Sequence, residues 1–136
     1  MSYIPAELRR QITMISGGCC EYCRVSQSDS AERFHIEHII ALYHGGQTVE
    51  QNLAFSCSRC NFYKGTNIAA ADPDTGEPTF LFHPRRDYWY DHFRLEEGVI
   101  RPLTPQGRAT LFVLRLNDYE RVEFRNLLVL MGTYPC

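Results

Sequence analysis

Residues 34–61, FHIEHIIALYHGGQTVEQNLAFSCSRCN, decide the fold of this chain. The segment begins with a β-branched run that contains Glu37 and His38, turns at a pair of glycines, and returns through a second apolar run. It ends in Cys57-x-x-Cys60 at the start of a helical stretch. Strand-forming runs on both sides of a glycine turn predict a β-hairpin, and here the hairpin leads into an α-helix.

Two matching cysteine pairs flank this hairpin, and their spacing is typical of a zinc site. Thiolates three residues apart suit one edge of a tetrahedral zinc ion. Six cysteines in a chain whose first residues show no signal peptide favour metal ligation over a disulfide framework. Cys19 competes with Cys20 for the first position, and the spacer shared by both pairs favours Cys20, which leaves Cys19 and Cys136 unassigned. The predicted zinc ligands are Cys20, Cys23, Cys57 and Cys60.

These residues resemble the HNH endonuclease family over residues 20 to about 67, in the subgroup where two CxxC pairs flank the site. The ββα-metal hairpin of that family carries an acid-histidine pair, a central asparagine and a final histidine or asparagine. The matching positions in this sequence are Glu37, His38, Asn52 and Asn61. Two positions depart from the family pattern: Ala41 stands where proline is frequent, and Asn61 replaces the final histidine.

The resemblance implies a metal-dependent endonuclease that hydrolyses the phosphodiester bonds of DNA. Glu37 and Asn61 offer oxygen ligands to one divalent cation, Mg²⁺ or Mn²⁺, which would stabilise the scissile phosphate and the leaving 3′ oxygen. His38 is the candidate general base, because an imidazole can accept a proton from water near neutral pH. The products would carry 5′-phosphate and 3′-hydroxyl ends.

Two further polar residues belong to the predicted site. Asn52 can donate and accept hydrogen bonds at once, which suits tying the hairpin loop to the backbone and holding His38 in line; a plain turn asparagine is the alternative. His35 shares the Glu37 face of the strand and is either an auxiliary ligand or phosphate contact, or a surface residue. Because neighbouring strand residues face opposite ways, Glu37 and His38 can serve one site only if the strand bends or ends near them.

The charge balance excludes a protein that attracts nucleic acid through a general positive field. Fourteen basic and sixteen acidic residues give a net charge of −2. Contact with DNA must therefore be local, and we predict it at Lys64, Arg85 and Arg86. The aromatic residues at positions 88–90 are available for base stacking, or they belong to the core.

A length of 136 residues indicates one domain, and the order of its patterns predicts an α+β fold. We place a zinc-stapled metal core at about 17–67, preceded by a helix over 5–16. A turn-rich connector over 69–79 leads to an extension at about 80–136, with a strand over 80–82, a β-hairpin and two helices. The last helix, capped by Asn117, is predicted to bury its apolar residues: Val122, Phe124, Leu127, Leu128, Leu130 and Met131.

Two other classes of function remain open from the sequence. A non-catalytic treble-clef zinc module that binds nucleic acid or protein would need the four cysteines but not the acid, histidine and asparagine together. Net acidity also leaves open a subunit or toxin-like effector that works only with a protein partner or as a homo-oligomer. No run of eighteen apolar residues is present, so we expect no membrane contact and a cytoplasmic protein.

Overall fold

The chain folds around a two-stranded ribbon followed by a short helix, as the sequence predicts. The structure, a computed structural model, describes residues 3–136. In chain order the elements are α1 (Ala6–Ser16), β1 (His35–His38), β2 (Leu53–Ser56), α2 (Ser58–Lys64), β3 (Ala69–Ala71), β4 (Pro78–Phe80), α3 (Trp89–His92), β5 (Phe93–Glu96), β6 (Val99–Pro102), α4 (Pro105–Val113) and α5 (Tyr119–Met131). The strands form antiparallel pairs, β1 with β2, β3 with β4 and β5 with β6, so the predicted α+β class is confirmed.

The β1–β2 ribbon consists of four antiparallel residue pairs and a tightly packed loop. Glu37 lies opposite Ala54 and His38 opposite Leu53, and all four residues of β2 are buried. The loop between the strands passes so close to itself that a Cβ at Gly46 would lie 1.7 Å from the carbonyl oxygen of Ile40. A side chain at this position would therefore separate the loop from the end of β1.

The helix α1 packs against β2 through one fully buried side chain, Ile12. The apolar stripe predicted for this helix is narrower than its sequence indicates, because Leu8 is half-buried and Ile15 is 49% exposed. Gly17 ends the helix at φ 66°, a left-handed conformation that favours glycine.

The segment predicted as a connector is an ordered hairpin, which corrects the sequence interpretation. β3 pairs with β4 so that Ala69 lies opposite Phe80, and the strand expected over 80–82 ends at Phe80. Inside the turn, the carboxylate of Asp72 accepts hydrogen bonds from the Asp74 amide, at 3.0 Å, and the Thr75 hydroxyl, at 3.1 Å. The turn chemistry was predicted correctly, but the short flanking strands carry no alternation strong enough to be recognised.

The last helix buries a different face from the predicted one. Asp118, not Asn117, precedes its first residue, and the buried positions are Arg121, Arg125 and Leu128. Phe124, Leu127, Leu130 and Met131, expected in the core, are exposed. The guanidinium groups of the two arginines lie inside because backbone carbonyls accept their hydrogen bonds: Leu114 at 2.7 Å, Gly98 at 2.7 Å and Leu116 at 2.7 Å.

The C-terminal residue of the chain is bonded to the segment that follows α1. Cys19 and Cys136, which the sequence left unassigned, form a disulfide with a Cα–Cα distance of 5.7 Å. The expectation that the cysteines serve metal rather than disulfides therefore holds for four of the six. Within residues 3–136, no helix has both the length and the apolar composition needed to cross a membrane.

Candidate functional site

Four cysteine sulfurs converge between the segment after α1 and the start of α2. The Sγ atoms of Cys20, Cys23, Cys57 and Cys60 all lie within 4.8 Å of one another. The Cys23 and Cys57 sulfurs are 3.7 Å apart, and a tetrahedral ion with Zn–S bonds of about 2.3 Å requires a sulfur separation of about 3.8 Å. This donor set fits a structural zinc ion, and it assigns Cys20 rather than the disulfide-bonded Cys19.

The proton affinities of these thiols also suit a metal. Burial raises the pKa of Cys20 and of Cys60, whereas hydrogen bonds from the neighbouring thiols lower the pKa of Cys23 and of Cys57. Four thiolates cannot share one buried space without a cation, and coordination to zinc supplies it. The ion would join the segment before β1 to the segment after β2.

Arg121 of α5 contacts the cysteine cluster, although nothing in the motif predicts it. Its Nη2 atom lies 2.9 Å from the Cys60 sulfur and 3.9 Å from the Cys57 sulfur. Burial lowers the pKa of Arg121, but the nearby thiolates raise it more, so the net pKa is above the ordinary value. The guanidinium thereby offsets part of the negative charge that four thiolates bring to a zinc ion. Two arginines four residues apart on α5 are the only sequence signal for this contact.

Residues of the extension donate hydrogen bonds to backbone carbonyls in and beside the first cysteine pair. The indole Nε1 of Trp89 donates to the Tyr22 carbonyl at 2.9 Å, and the Tyr134 hydroxyl donates to the Cys23 carbonyl at 2.8 Å. The Cys136 amide donates to the Arg24 carbonyl at 2.9 Å. The C-terminal half of the chain is therefore part of the cysteine site's support.

His38 lies at the end of β1 with its imidazole half-buried. Its Nε2 atom is 2.8 Å from Oγ1 of Thr48, a residue of the loop that joins the two strands. Partial burial lowers the pKa of His38, so the neutral imidazole prevails near pH 7. In the tautomer whose Nε2–H donates to the Thr48 hydroxyl, Nδ1 is available as a proton acceptor.

Asn52 closes the loop that carries Thr48. Its Oδ1 accepts from the Ile40 amide at 2.8 Å, and its Nδ2 donates to the Ile40 carbonyl at 2.9 Å and to the Gln47 carbonyl at 2.8 Å. Three hydrogen bonds from one buried carboxamide fix both ends of the loop. Within residues 3–136, the hydrogen bonds of the Asn52 carboxamide go to the backbone of Ile40 and Gln47, and none goes to the His38 imidazole.

Glu37 faces the opposite side of β1 and is committed to protein partners. Its carboxylate accepts a hydrogen bond from the Tyr22 hydroxyl, and its Oε2 lies 3.4 Å from Nζ of Lys64. The ammonium also donates to the Ile39 carbonyl at 2.8 Å. Burial raises the pKa of Glu37, while Lys64 and Tyr22 act to lower it. The Glu37 and Lys64 side chains are only 5% and 2% exposed, so both charges are nearly isolated from water.

Of the remaining predicted site residues, Asn61 belongs to α2 and His35, in β1, contacts the first turn of α2. The His35 ring nitrogen Nε2 is 3.3 Å from the Ser58 hydroxyl at the first turn of the helix. Asn61, half-exposed, follows one turn later and precedes Lys64 by another turn. The structure therefore brings His35 and Glu37 towards α2 and directs His38 towards the loop.

The predicted pair of ligands for a divalent cation does not form an open site in this arrangement. Mg²⁺ retains several waters and requires a near-octahedral set of oxygens. The Glu37 carboxylate is buried, and the Lys64 ammonium already neutralises it. A cation at Glu37 would have to displace that ammonium from the interior.

Two of the three predicted DNA contacts, Lys64 and Arg85, form ion pairs with carboxylates of the protein. Lys64 is 1% exposed and held by the Glu37 carboxylate. Arg85 forms an ion pair with Glu21, and its Nε donates to the Leu53 carbonyl at 3.0 Å. Composition alone could not separate these residues from Arg86, which is exposed.

A family model matches the ribbon and its cysteine site. Residues 20–67 match the family model described as HNH endonuclease. The matched segment contains both cysteine pairs, β1, β2 and α2. The predicted resemblance to this family is therefore confirmed for that part of the chain.

A longer similarity extends into the C-terminal half. The chain is 25% identical over 117 residues to the Septu protein PtuB of Bacillus thuringiensis, a stretch that covers 85% of this chain and 43% of that protein. The chain thus spans less than half the length of this relative. No solved structure matches the chain.

Proposed function

We propose that the chain is a nuclease that hydrolyses phosphodiester bonds of DNA, with His38 as the general base. The observation that carries this proposal is the placement of His38 at the end of a ribbon whose segment matches the HNH endonuclease family. Its imidazole is half-exposed and its ring orientation is fixed by Thr48. A base must be both accessible to water and held in one orientation, and His38 meets both requirements.

The contact with Thr48 defines which nitrogen acts. When Nε2–H donates to the Thr48 hydroxyl, Nδ1 carries the free lone pair. Nδ1 accepts a proton from a water molecule as the water oxygen attacks phosphorus. The bond between phosphorus and the 3′ oxygen breaks, and the 3′ oxygen takes up a proton from a second water molecule. The products are a 5′-phosphate and a 3′-hydroxyl, as the resemblance implies.

The proposed cofactors are a structural zinc ion and a divalent cation, Mg²⁺ or Mn²⁺. The cysteine geometry supports the zinc. The divalent cation comes from the resemblance alone, and of its two expected ligands Asn61 is half-exposed while Glu37 is engaged by Lys64. That engagement is the observation in favour of a second function, a non-catalytic zinc module that binds nucleic acid.

A plasmid assay with one matched pair of variants tests the proposal. Purified protein is incubated with supercoiled plasmid with and without Mg²⁺ or Mn²⁺. His38→Ala should reduce the cleavage rate by at least about 10²-fold, the usual scale for losing a general base. His44→Ala changes an exposed histidine in the same loop and should leave the rate unchanged.

Three measurements separate the outcomes. Zinc content and melting temperature should be equal in both variants, because neither histidine contacts a cysteine sulfur in the described contacts. Cleavage by His38→Ala at the wild-type rate would show that the base is another residue. A wild-type protein that binds zinc and DNA but cuts under no cation would favour the binding module.

A further inference from the structure

A cleft of about 330 Å³ opens beside the end of β1. We name it the β1 cleft. Its walls come from the residues after His38, the end of α2, β4 and the segment after β4. The lining residues include Ile39, Ile68, Phe80, His83 and Arg86. Ile39 follows His38 directly in the chain, and the His38 side chain is not among the residues that line the cleft.

The walls of the cleft combine an apolar floor with an exposed aromatic ring. Leu81 and Phe82 are buried at 5% and 3% exposure, whereas Phe80 is 68% exposed. An aromatic ring that is open to solvent at the rim of an apolar cleft offers a stacking surface. Nucleobases stack on such rings with little dependence on their sequence, because every base has a flat π-face.

A positive charge without a carboxylate partner lies at the same cleft. Arg86 is exposed, and it takes part in none of the ion pairs formed within residues 3–136. The adjacent Asp87 is engaged elsewhere, since its carboxylate accepts from the His83 amide at 2.9 Å and the Gln106 side chain at 2.7 Å. The Arg86 guanidinium is therefore available for a phosphate.

His83 adds a polar group of defined direction. Its Nδ1 accepts a hydrogen bond from the Arg85 amide at 3.2 Å, so in the neutral ring Nε2 carries the proton and can donate. The backbone amide of His83 donates a hydrogen bond to the Asp87 carboxylate. An apolar floor, a stacking ring, one donor and one cation match a base together with its phosphate.

We propose that the β1 cleft binds one unpaired nucleotide of the nucleic-acid substrate, with its base against Phe80 and its phosphate at Arg86. This inference rests on the proposed nuclease function, which it extends by a preference for substrates that carry an unpaired nucleotide. A base within a duplex is stacked and paired, so it must leave the helix to enter a cleft of this kind.

Binding measurements without cleavage test the cleft independently of the reaction. Fluorescence anisotropy is recorded with the zinc-loaded protein in Ca²⁺ buffer, using a single-stranded oligonucleotide and a blunt duplex of the same sequence. Wild-type protein should bind the single strand more tightly than the duplex. Phe80→Ala should weaken single-strand binding by about tenfold or more, while Phe80→Tyr should retain the wild-type affinity.

Matched controls exclude a general effect of surface changes. Phe112 on α4 is 66% exposed and lies outside the cleft lining, so Phe112→Ala should not alter the affinity. Arg86→Ala should lower the slope of log affinity against log salt by about 0.7, the value for one phosphate contact on a single strand. Arg9→Ala, which removes an exposed charge from α1, should leave the slope unchanged.

The outcomes distinguish the cleft from the nuclease proposal. Equal affinities for Phe80→Ala and Phe112→Ala would overturn the cleft assignment, even if the protein cuts plasmid. A loss confined to Phe80→Ala and Arg86→Ala, in a protein that cuts no substrate, would support the cleft and reject the nuclease. Failure of wild-type protein to bind either oligonucleotide would reject both.

Discussion

Two adjacent residues of β1 have opposite surroundings. Glu37 is buried against Lys64 and Tyr22, whereas His38 is half-exposed and contacts the loop. The alternation of a strand alone places them on opposite faces. Burying a carboxylate with an ammonium is costly, but removing one partner is costlier, because it leaves the other charge isolated. The ion pair therefore makes α2 and β1 dependent on each other.

Lys64→Met should destabilise the protein by about 3–5 kcal/mol at pH 7.5, the usual cost of breaking a buried ion pair. Burial already raises the pKa of Glu37 above its unfolded value, and loss of the ammonium raises it further. A raised carboxyl pKa makes folding more favourable below the unfolded pKa and less favourable as pH rises through the folded pKa. The destabilisation should thus be smaller at pH 5 than at pH 7.5 in urea unfolding.

The double variant Glu37→Gln with Lys64→Met is the control for that prediction. It removes both charges, so most of the lost stability should return and the difference between pH 5 and pH 7.5 should disappear. An additive loss in the double variant would mean that the two side chains do not stabilise each other.

The roles of single residues could be predicted where the spacing between residues in the sequence was informative. The four cysteines followed from two equal spacers, and their sulfurs do converge. The burial of charged residues was harder to predict, because a lysine or an arginine carries no sign in the sequence of whether it is buried or exposed. Lys64 and Arg85 were assigned to DNA, but their partners, Glu37 and Glu21, are distant in sequence and could not be read from it.

At the scale of elements, α5 connects the cysteine cluster to the extension. Its buried face carries two arginines, of which Arg121 reaches sulfur and Arg125 reaches only oxygen acceptors. Hydrophobic periodicity predicted the existence of this helix but not its rotation. The apolar residues outnumber the arginines, and the acceptors that allow arginine inside are backbone carbonyls of other segments.

Arg121→Met should weaken zinc binding by about 10–100-fold, the effect typical of losing a group that contacts a metal ligand. Competition with a chromogenic chelator measures the affinity. Arg125→Met is the matched control, because it removes a similarly buried guanidinium that makes no hydrogen bond to a cysteine in the described chain. Equal zinc affinities in the two variants would remove the assigned role of Arg121.

A bidentate ion pair joins the turn of the β3–β4 hairpin to α4. The Arg108 guanidinium donates to both carboxylate oxygens of Asp72, at 2.8 and 2.7 Å. These bonds place the pKa of Asp72 well below its ordinary value. A bidentate pair of this kind joins a hairpin with little apolar burial to the rest of the fold.

Asp72→Asn should destabilise the protein near neutral pH and have less effect in acid. A depressed carboxyl pKa stabilises the fold above the unfolded pKa, about 3.9, and that stabilisation is lost as pH falls through the folded pKa. Urea midpoints of wild type and variant should therefore differ at pH 6 and approach each other towards pH 3. Asp74→Asn, which removes a 68% exposed carboxylate 3.2 Å from the same guanidinium, should change little at either pH.

Across the whole molecule, the cysteine cluster and the extension stabilise each other. Trp89, Arg121 and Tyr134 come from three separate parts of the extension, and each contacts the cysteine segment. The sequence indicated a metal core followed by an extension, because the family resemblance ends near residue 67. Contacts between distant parts of the chain leave no local pattern, so this dependence could not be predicted.

Removal of zinc should therefore disrupt the extension as well as the core. Trp89 is the single tryptophan, and its indole donates to the carbonyl of Tyr22, which lies between Cys20 and Cys23, so its fluorescence reports on the extension. Chelation, or Cys57→Ser, should shift Trp89 emission to longer wavelength together with the loss of far-ultraviolet signal, since zinc contributes several kcal/mol of folding free energy. Emission that stays unchanged after complete zinc loss would show that the extension folds independently.

The bond between Cys19 and Cys136 makes residues 19–136 a covalent ring. One proteolytic cut in an exposed turn of that ring, for example near Gly76, opens the ring without releasing a fragment. On a denaturing gel without reductant the nicked chain would run as one band, and two bands would appear only after dithiothreitol is added. Limited digestion of this protein should thus be followed under both conditions, since a non-reducing gel alone would hide the cleavage.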